Sequence, residues 1–543
     1  MQYITPYLPT SRQMPLTLAV AGFSFATGFF LQRCFSQITL KKVIEATPVV
    51  NSQLDNQLKK VQESAKRELF TNTQSEDLLL ELPETGFNAR FVIGRLENVR
   101  GNTDSEYQTG AIYENEPDID RLIVDVFEKT MRTNPMHPNC PRIKQMENQV
   151  ISMVGKMFGD DNNVRGNITT GGTMSNVHAV YTAREHARVN GVKDNWCMIF
   201  PESAHPSFDK AAHWLGIKPI KVKTDPKTGK ADVNEMEGLL ANPEIRKRTI
   251  MVVGSAPGFA HGVIDPIQKI SDMLERVDPK NNILFHVDSC LGGFIVPFME
   301  KAGYTPDEKF GFNITSRMTS VSADTHKYGS DTKGSSTIVY RNEKIYKHQI
   351  WAMREWDGGF YGTPTLEGSR DGTVPARVWA VMAHIGEKGY VERTKKILST
   401  AKQLREAIKE INELELAFET NTMVVSFKST NSDVNIFDVI DEMCAVGNKN
   451  GRHWYISGLQ KPDAAHMVVT NPHTRNNNFV NVFKQDLKSA VDQVKTYTKD
   501  KRGKSSRAKM YGSNASFIEG PFVTDGIRAH LLGLSSPTPQ LTS

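Results

Sequence analysis

Short runs of apolar residues alternate with amphipathic segments along the middle of this chain. The apolar runs cover residues 196–200, 250–255, 283–287 and 318–322. Runs of this length and composition are typical of strands in a sheet that is covered on both faces. Because helical segments lie between them, the pattern predicts an α/β layered domain with a mainly parallel sheet.

Helical patterns dominate on either side of this region. The sequence predicts helices at 54–70 and 143–158, and a long helix from 374 towards 411. Beyond that point it predicts a smaller α+β unit, with strands at 423–427 and 467–470 and a helix near 434–446. The expected fold class is therefore α/β, with a large sheet domain followed by a smaller C-terminal α+β domain.

Composition and charge exclude some classes of protein. The chain has 543 residues, which is enough for a large and a small domain, and its net charge of +5 is too small to indicate a nucleic-acid partner. Its five cysteines are scattered, without the spacing of a disulfide framework or a zinc site. We expect no metal, and a reducing, cytosol-facing compartment.

An uncharged, mostly apolar run lies near the start, at residues 16–31. A membrane-spanning helix needs about 20 such residues, with a lower limit near 17, so this run is a marginal anchor candidate. A signal-peptide hydrophobic region and an interfacial helix are the alternatives. Arg33, Lys41 and Lys42 follow the run, whereas only Arg12 precedes it. This asymmetry predicts that the remainder of the chain stays in the cytosol.

The strongest chemical signal is a lysine, Lys327, just beyond the fourth predicted strand, in the segment SADTHKYG at 322–329. An ammonium group is costly to desolvate, so lysines avoid such positions unless the neutral amine has a use, as in Schiff-base chemistry. The alternative is a surface lysine at a strand end. The adjacent His326 and three upstream features favour the chemical interpretation.

Each upstream feature has an ordinary alternative. Asp288 ends the third predicted strand, where a carboxylate faces the ligand crevice of an open α/β sheet, although aspartate is also a common turn residue. Gly172 and Thr173 open a helix and offer amides to an anion, although Gly-Gly is also a plain loop signal. His205 follows the first strand and can stack on a planar ring, or simply pack. Their order along the chain is that of fold-type I pyridoxal phosphate (PLP) enzymes.

With these residues the chain resembles the sphingosine-1-phosphate lyases, which are group II decarboxylase-like PLP enzymes, over roughly residues 85–510. General amino-acid decarboxylases share the Asp and Lys motifs but not the whole set. The matching segments are YQTGAIY at 107–113, NPMHP at 134–138, SAHPSFDKAAH at 203–213, VGSAP at 253–257, HVDSCLGGF at 286–294, the Lys327 segment with KGSS at 333–336, and GGFYGTPT at 358–365.

The resemblance implies a role for each matched residue. Lys327 would bind the cofactor as a Schiff base, Asp288 would pair with its pyridine nitrogen, and His205 would stack on its ring. The cofactor phosphate would be held by Gly172, Thr173 and His326. The remaining matches, some of them acting across a homodimer, are the substrate-side Tyr113, Asn134, His137 and Lys333, with Tyr361 near the cofactor.

Three departures from the family pattern stand in this sequence. Met174 replaces an acidic or polar residue, and Ser289 replaces an alanine under the cofactor ring. Ser330-Asp331-Thr332 replaces the usual Tyr-Ala/Thr-Pro, which bears on the position of Lys333 and on substrate preference.

The resemblance implies cleavage of the C2–C3 bond of a phosphorylated long-chain base, giving a fatty aldehyde and phosphoethanolamine. The catalytic residues would be Lys327, Tyr113 and Lys333; the base that takes the C3 hydroxyl proton is Lys327, a tyrosine or a cofactor-phosphate oxygen. The alternatives are a PLP-dependent amino-acid decarboxylase and a non-catalytic membrane scaffold.

The same resemblance implies a membrane-associated enzyme that faces the cytosol, at the endoplasmic reticulum in a eukaryote or at an inner or host membrane in a bacterium. The predicted parts are an anchor candidate, a linker with an arm that contributes to the active site, a PLP-binding domain, a small domain and a basic, flexible tail. Their predicted boundaries are 1–42, 43–145, 146–375, 376–500 and 501–543.

Overall fold

The computed structural model describes residues 48–70, 79–96, 105–110, 112–160, 162–504 and 521–537. The anchor candidate at 16–31 lies outside these residues, as do Arg507 and Lys509 of the basic tail. Within the described ranges, none of the helices combines the length and the apolar character needed to cross a membrane.

A seven-stranded sheet forms the centre of the larger compact unit, which spans Asp104–Thr496. The spatial order of its strands is β1-β7-β6-β5-β4-β2-β3. Only β7 runs antiparallel to its neighbours within this sheet. The strands are β1 (Arg165–Thr169), β2 (Cys197–Pro201), β3 (Lys218–Val222), β4 (Thr249–Ser255), β5 (Leu284–Asp288), β6 (Met318–Ala323) and β7 (Ser336–Tyr340).

The four strands that the sequence predicts are confirmed as β2, β4, β5 and β6, with bounds that differ by one residue at most. Every residue of β2, β4 and β5 is buried. Helices cover the sheet, so nearly continuous apolar sequence is required in its central strands. The expected α/β class with a mainly parallel large sheet is confirmed.

The described chain also contains fourteen α-helices. Each of the four predicted helices is present, and the long one is interrupted at Gly386, whose backbone is non-helical. The helices are α1 (Pro48–Leu69), α2 (Ala89–Gly94), α3 (Pro117–Thr130), α4 (Pro141–Met157), α5 (Gly172–Val189), α6 (Ser207–Leu215), α7 (Val233–Ala241), α8 (Pro243–Arg248), α9 (Ile267–Val277), α10 (Glu343–Tyr346), α11 (Thr373–Lys409), α12 (Ile436–Lys449), α13 (Phe479–Lys495) and α14 (Pro521–Leu534).

Two smaller sheets complete the unit. The hairpin of β8 (Trp351–Met353) and β9 (Tyr361–Thr363) carries several exposed aromatic side chains. An antiparallel sheet then follows α11, in the order β10-β11-β13-β12, as expected for a C-terminal α+β region. Its strands are β10 (Leu414–Leu416), β11 (Val424–Ser429), β12 (Ser457–Leu459) and β13 (Ala464–Val468).

The second compact unit combines the described residues before 104 with the described residues after 496. Its helix α14 packs on α1 so closely that a Cβ atom at Gly533 would lie 2.8 Å from the Cβ atom of Ala65. The sequence did not predict α14. Its glycines and its short length gave too weak a helical pattern.

The large sheet positions the candidate site through its connections. Asp288 is the last residue of β5, Ser255 is the last residue of β4, and the Lys327 segment directly follows β6. Since β4, β5 and β6 are parallel neighbours, their carboxyl ends meet at one edge. This edge is where open α/β sheets bind ligands.

Candidate active site

A cavity of about 320 Å³ opens at the carboxyl ends of these strands. It collects six of the residues that the sequence predicts to bind the cofactor. These are Gly172, Thr173, His205, Asp288, His326 and Lys327. They come from four separate chain segments, so the fold brings together residues that are dispersed over about two fifths of the larger unit.

Lys327 lies at the floor of this cavity beside Asp324. Its Nζ atom is 2.8 Å from Oδ2 of Asp324, whose side chain is only 2% exposed. Burial by itself lowers the pKa of Lys327, but the charge of Asp324 outweighs it, helped by Tyr113 and Cys290, and the pKa is raised. The second oxygen of Asp324, Oδ1, is buried and has no hydrogen-bond partner among the described residues.

Asp288 is held by a buried network on the far side of the cavity. Asn176 Nδ2 donates to Asp288 Oδ2 at 3.0 Å, and the backbone N–H of Cys290 donates to Oδ1 at 3.0 Å. Burial alone would raise the pKa of Asp288, but His286 and these donors hold it below its usual value. Burial lowers the pKa of His286 to about 4. Asp288 is therefore a carboxylate at neutral pH, ready to accept from a protonated ring nitrogen.

The amino end of α5 lines the cavity, and its first residue, Gly172, is tightly packed. A Cβ atom at Gly172 would lie 2.6 Å from Oδ1 of Asp324 and 2.8 Å from Sγ of Cys290, so only glycine fits there. The N–H groups of a helix's first turn have no partners within the helix, and the helix dipole adds positive potential. This end of α5 is therefore suited to a phosphate group.

Tyr113 and Lys333 lie next to the lysine segment. The ring of Tyr113 makes an edge contact with Tyr328 at 5.0 Å between centroids, and Nζ of Lys333 lies 5.1 Å from the Tyr113 centroid. Burial raises the pKa of Tyr113 to about 12, so its hydroxyl stays protonated at neutral pH. Burial and the nearby Lys327 lower the pKa of Lys333. The replacement at 330–332 has thus left Lys333 beside the predicted site.

Like Tyr113 and Lys333, three further predicted residues do not line this cavity, and these three lie elsewhere in the chain. Tyr361 is 40% exposed on β9 and borders a different cavity of about 470 Å³. Asn134 accepts the backbone N–H of Met136 through Oδ1 at 3.0 Å, and His137 accepts that of Asn139 through Nδ1 at 3.2 Å. Within one chain the structure does not bring these three side chains to Lys327.

The departures at Met174 and Ser289 are accommodated locally. Met174 lies on the cavity wall. Ser289 is fully buried, and its hydroxyl donates to the backbone carbonyl of Ala256 at 2.7 Å. Because that hydroxyl is satisfied by the chain itself, Ser289 replaces an alanine without leaving an unpaired polar group.

Sequence reasoning missed two residues of this site, Asn176 and Asp324. Asn176 lies one helical turn after Gly172, and its Oδ1 accepts from Ser322 Oγ at 3.0 Å while its amide holds Asp288. Its spacing of four residues from Gly172 was the available signal. Asp324 stands three residues before Lys327, within the segment already identified, and its burial was what could not be foreseen.

The residues present fit pyridoxal phosphate. A lysine amine, an ionised strand-end carboxylate and a glycine-lined helix end occupy three sides of one cavity. Two buried oxygens without partners in the described chain, Asp324 Oδ1 and Ser255 Oγ, belong to residues that line the same cavity. Buried polar atoms normally have partners, so this pattern points to a polar ligand.

Comparisons with known proteins agree with this geometry. Residues 101–430 match the family described as "Pyridoxal-dependent decarboxylase conserved domain". Sphingosine-1-phosphate lyase 1 of Rattus norvegicus is 34% identical over 509 residues, covering 92% of this chain and 85% of the relative. Sphingosine-1-phosphate lyase of Saccharomyces cerevisiae is 33% identical over 494 residues, covering 90% of this chain and 80% of the relative.

Solved structures of other proteins share the fold of this chain. The sphingosine-1-phosphate lyase of Burkholderia pseudomallei aligns with a TM-score of 0.70 at 30% identity, covering 83% of this chain and 99% of that one. Glutamate decarboxylase of Lactobacillus brevis aligns with a TM-score of 0.63 at 18% identity, covering 79% of this chain and 98% of that one, and shows the fold alone. The cavity and these likenesses lead to one conclusion: the chain belongs to the sphingosine-1-phosphate lyase family, on the fold of the pyridoxal-dependent decarboxylases.

Proposed function

We propose that this protein is a PLP-dependent carbon–carbon lyase that cleaves phosphorylated long-chain bases into a fatty aldehyde and phosphoethanolamine. The observation that carries the proposal is Lys333, a second lysine beside the cavity. Among the described residues it has no carboxylate within ion-pair distance, and its nitrogen lies over the Tyr113 ring. A cation placed there, in addition to the helix end that suits the cofactor phosphate, supports recognition of a second phosphate.

Bound pyridoxal phosphate would supply the electron sink for the bond that breaks. The chain's own residues would hold the cofactor, exchange protons and donate hydrogen bonds. Lys327 would hold the cofactor and exchange protons through Nζ, while Asp288 would keep the ring nitrogen protonated. Tyr113, protonated at neutral pH, would donate a hydrogen bond through Oη rather than accept a proton.

The test uses the full chain, purified with detergent and pyridoxal phosphate. Its absorbance spectrum is recorded, and it is then given dihydrosphingosine 1-phosphate and assayed for fatty aldehyde. Aldehyde release that requires the cofactor and is lost in Lys327→Ala is the expected result. The matched control is Lys301→Ala, an exposed lysine paired with Glu387, which should keep activity.

The competing amino-acid decarboxylase is separated in the same experiment. It predicts carbon dioxide from an acidic or aromatic amino acid and no aldehyde from the phosphorylated base. That pair of results would overturn the proposed reaction while leaving the cofactor assignment intact. A protein with no cofactor absorbance at all would favour a non-catalytic scaffold.

The proposal includes a homodimer with shared sites. It is supported by Tyr361, Asn134 and His137, which lie away from the cavity of their own chain. The loop that carries Asn134 is tied to the chain after β9, since Arg370 N donates to Asn134 Oδ1 at 3.4 Å. Nearby on the β8–β9 hairpin, Phe360 is 86% exposed and Trp356 is 56% exposed. Apolar exposure of this kind marks interaction surfaces.

Subunit complementation tests this arrangement. Lys327→Ala chains, which should be inactive alone, and Tyr361→Phe chains, which should be weakly active alone, should regain activity when they are mixed under exchange conditions. In a dimer with shared sites, one site of each mixed pair contains both native residues. Mixtures that stay as inactive as their components would contradict shared sites.

We also propose that the run at 16–31 anchors the enzyme to a membrane, with the catalytic unit in the cytosol. Support comes from the apolar sequence of the run and from the basic residues that follow it. Alkaline carbonate extraction distinguishes an anchored chain from a peripheral one. The full chain should remain in the pellet, whereas a chain without residues 1–42 should be released.

A further inference from the structure

The replaced segment at 330–332 contains a buried ion pair. Arg377 of α11 donates through Nε to Asp331 Oδ1 at 2.9 Å and through Nη2 to Oδ2 at 3.3 Å. The Asp331 side chain is 1% exposed and that of Arg377 is 11% exposed. A buried charge is retained only when it is paired and hydrogen-bonded, so this carboxylate depends on its arginine.

Asp331 also makes hydrogen bonds that hold the Lys327 segment in place. Its Oδ2 accepts from Ser335 Oγ at 2.7 Å, and Ser335 Oγ in turn accepts from Thr325 Oγ1 at 2.7 Å. The backbone N–H of Asp331 donates to the carbonyl of Thr325 at 3.0 Å. These hydrogen bonds connect Thr325, near the start of the loop that bears Lys327, with Ser335, near its end, and both are tied to Asp331.

His326 is oriented by the same serine. Its Nδ1 contacts the backbone carbonyl of Ser335, which makes Nδ1 the protonated nitrogen, because a carbonyl can only accept. The remaining nitrogen belongs to a side chain that lines the cavity. A displacement of Ser335 would therefore turn the imidazole away from the position in which the cofactor phosphate is expected.

Lys333 lies between the two buried ends of this bridge. Asp331 and Ser335 are buried, whereas Thr332, Lys333 and Gly334 are exposed. Ser335 Oγ also contacts the carbonyl of Thr332 at 3.2 Å, and Gly334 turns with a φ of +90°. The three exposed residues form a bulge whose ends are fixed, and the bulge carries the lysine that faces Tyr113.

A second contact reinforces the bulge on its other side. Ser330 Oγ donates to Glu114 Oε2 at 3.1 Å and accepts from Arg393 Nη1 at 3.2 Å. Arg393 lies on the same helix as Arg377, beyond the interruption at Gly386. Glu114 follows Tyr113 directly in the chain, so helix α11 fixes the Tyr113 and Lys333 segments together.

We propose that Asp331, paired with Arg377, is a positioning residue that sets His326 and Lys333 toward two phosphate groups, that of the cofactor and that of the substrate. This inference rests on the proposed function for the second phosphate but not for the first. Arg377 and Arg393 of α11 then compensate for the replacement of the usual family residues at 330–332, and the substrate-phosphate subsite is retained.

The experiment measures two affinities in the holoenzyme and its variants. Pyridoxal phosphate affinity is measured by equilibrium dialysis, and O-phosphoethanolamine affinity by the change in cofactor absorbance. In Asp331→Asn both dissociation constants should rise by about tenfold or more, because a misplaced charged donor loses most of its contribution. The same variant should raise KM for the phosphorylated base more than it lowers kcat.

The matched control is Asp278→Asn. Asp278 pairs with Arg317 Nη2 at 2.8 Å, with both side chains at most 7% exposed, and this pair lies at the opposite end of the sheet. Its loss should lower the unfolding temperature about as much, because one buried charge is again left unpaired, but should leave both affinities within about twofold. Equal effects of Asp278→Asn and Asp331→Asn on the affinities would overturn the proposal.

A double variant separates positioning from stability. In Asp331→Ala/Arg377→Met both charges are gone, so the unfolding temperature should recover relative to Asp331→Ala. Ser335 still lacks the Asp331 carboxylate that joins it to the rest of the loop, so the affinities should stay low. If both phosphate affinities recover together with the unfolding temperature, the Asp331–Arg377 pair has only a structural role. If the Asp331 variants do not fold, Arg377→Lys, which keeps the charge and loses the paired donors, is measured in the same way.

The two proposals can fail separately. If Asp331→Asn weakens binding of both phosphate compounds while the native enzyme releases no aldehyde from the phosphorylated base, the reaction is wrong and the positioning role stands. If aldehyde is released while Asp331→Asn leaves both affinities unchanged, the reaction stands and the positioning role is wrong.

Discussion

Lys327 Nζ and Asp324 Oδ2 lie 2.8 Å apart within a single turn of chain. The carboxylate stabilises the charged form of the amine, whereas the chemistry expected of Lys327 needs the neutral form. Asp324 therefore opposes premature reaction of the lysine with other carbonyl compounds. Its second oxygen remains available to a ligand in the cavity.

Replacing Asp324 should make Lys327 more reactive at moderate pH. In Asp324→Asn the charge that raises the Lys327 pKa is lost, whereas burial still lowers it, so the lysine pKa should fall. Trapping of pyridoxal by borohydride, followed across pH in the cofactor-free protein, should shift to lower pH. The control Asp209→Asn removes an exposed partner of Lys221 and should not move the profile. An unshifted profile in Asp324→Asn would show that Asp324 does not govern Lys327.

Removing the charge of Lys333 should weaken phosphate recognition selectively. Lys333→Met keeps much of the side-chain length, and we expect KM for the phosphorylated base to rise by about tenfold or more. Pyridoxal phosphate affinity should change little, since Lys333 does not line the cofactor cavity. Lys309→Met, at an exposed lysine paired with Glu300, provides the control. A KM that stays at the native value would remove Lys333 from the substrate subsite.

Adding one methyl group at Gly172 should disturb the cofactor cradle. Gly172→Ala places a Cβ atom against Asp324 and Cys290, and overpacking of this kind costs about 1–3 kcal/mol. Cofactor affinity should fall, as measured by dialysis. Gly238→Ala is the control: it lies inside α7 with nothing within 4 Å of the added atom, and should be neutral or slightly stabilising. Undiminished cofactor binding by Gly172→Ala would contradict the cradle.

Acid should destabilise the protein partly through Glu147. Its fully buried carboxylate is held by Arg370 at 2.7 Å and 3.0 Å and by Lys144 at 2.7 Å. Burial would raise its pKa, but these cations lower it to about 2. Because the folded pKa lies below the unfolded one, this stabilisation is complete above about pH 4.5 and is lost as the pH falls towards 2.

Glu147→Gln should therefore lower stability at neutral pH and flatten its pH dependence between about pH 4.5 and 2. Urea unfolding at several pH values measures both effects. The control is Glu237→Gln, which removes a two-oxygen pair with Arg276 at the surface, where such pairs contribute little. Parallel pH curves for native protein and Glu147→Gln would show that Glu147 is not the group that titrates.

The sequence predicted the central strands because β2, β4 and β5 are buried on both faces and must be apolar throughout. It did not predict β1, in which Arg165 and Asn167 interrupt the apolar pattern. Asn167 is nevertheless buried, because Tyr346 and Gln349 donate to its Oδ1 at 2.9 Å. A polar residue that is satisfied by tertiary contacts cannot be recognised from local pattern alone.

The sequence predicted those residues of the candidate site that lie at strand ends or in glycine-containing turns. Asp288, Lys327 and Gly172 stand at such places, and the fold brings them together. Asn176 was missed although it lies four residues after Gly172, because a helical amide acquires a role only when a strand 112 residues later places Asp288 against it. For the same reason the replacement at Asp331 was visible in the sequence, but its partner Arg377 was not.

The loop between β6 and β7 joins two antiparallel neighbours whose last and first pairs are in fixed register, with Ala323 opposite Thr337. An inserted residue that the exposed bulge at 332–334 does not absorb would either move Lys327 or slip β7 by one position, which would exchange its two faces. The parallel pairs β2–β3 and β4–β5 are connected through α6 and α9, and these crossovers carry no such restriction. Exchanges of side chains at constant length leave both Lys327 and this register in place, so protein engineers seeking a new substrate range should redesign residues 330–333 without adding or deleting any.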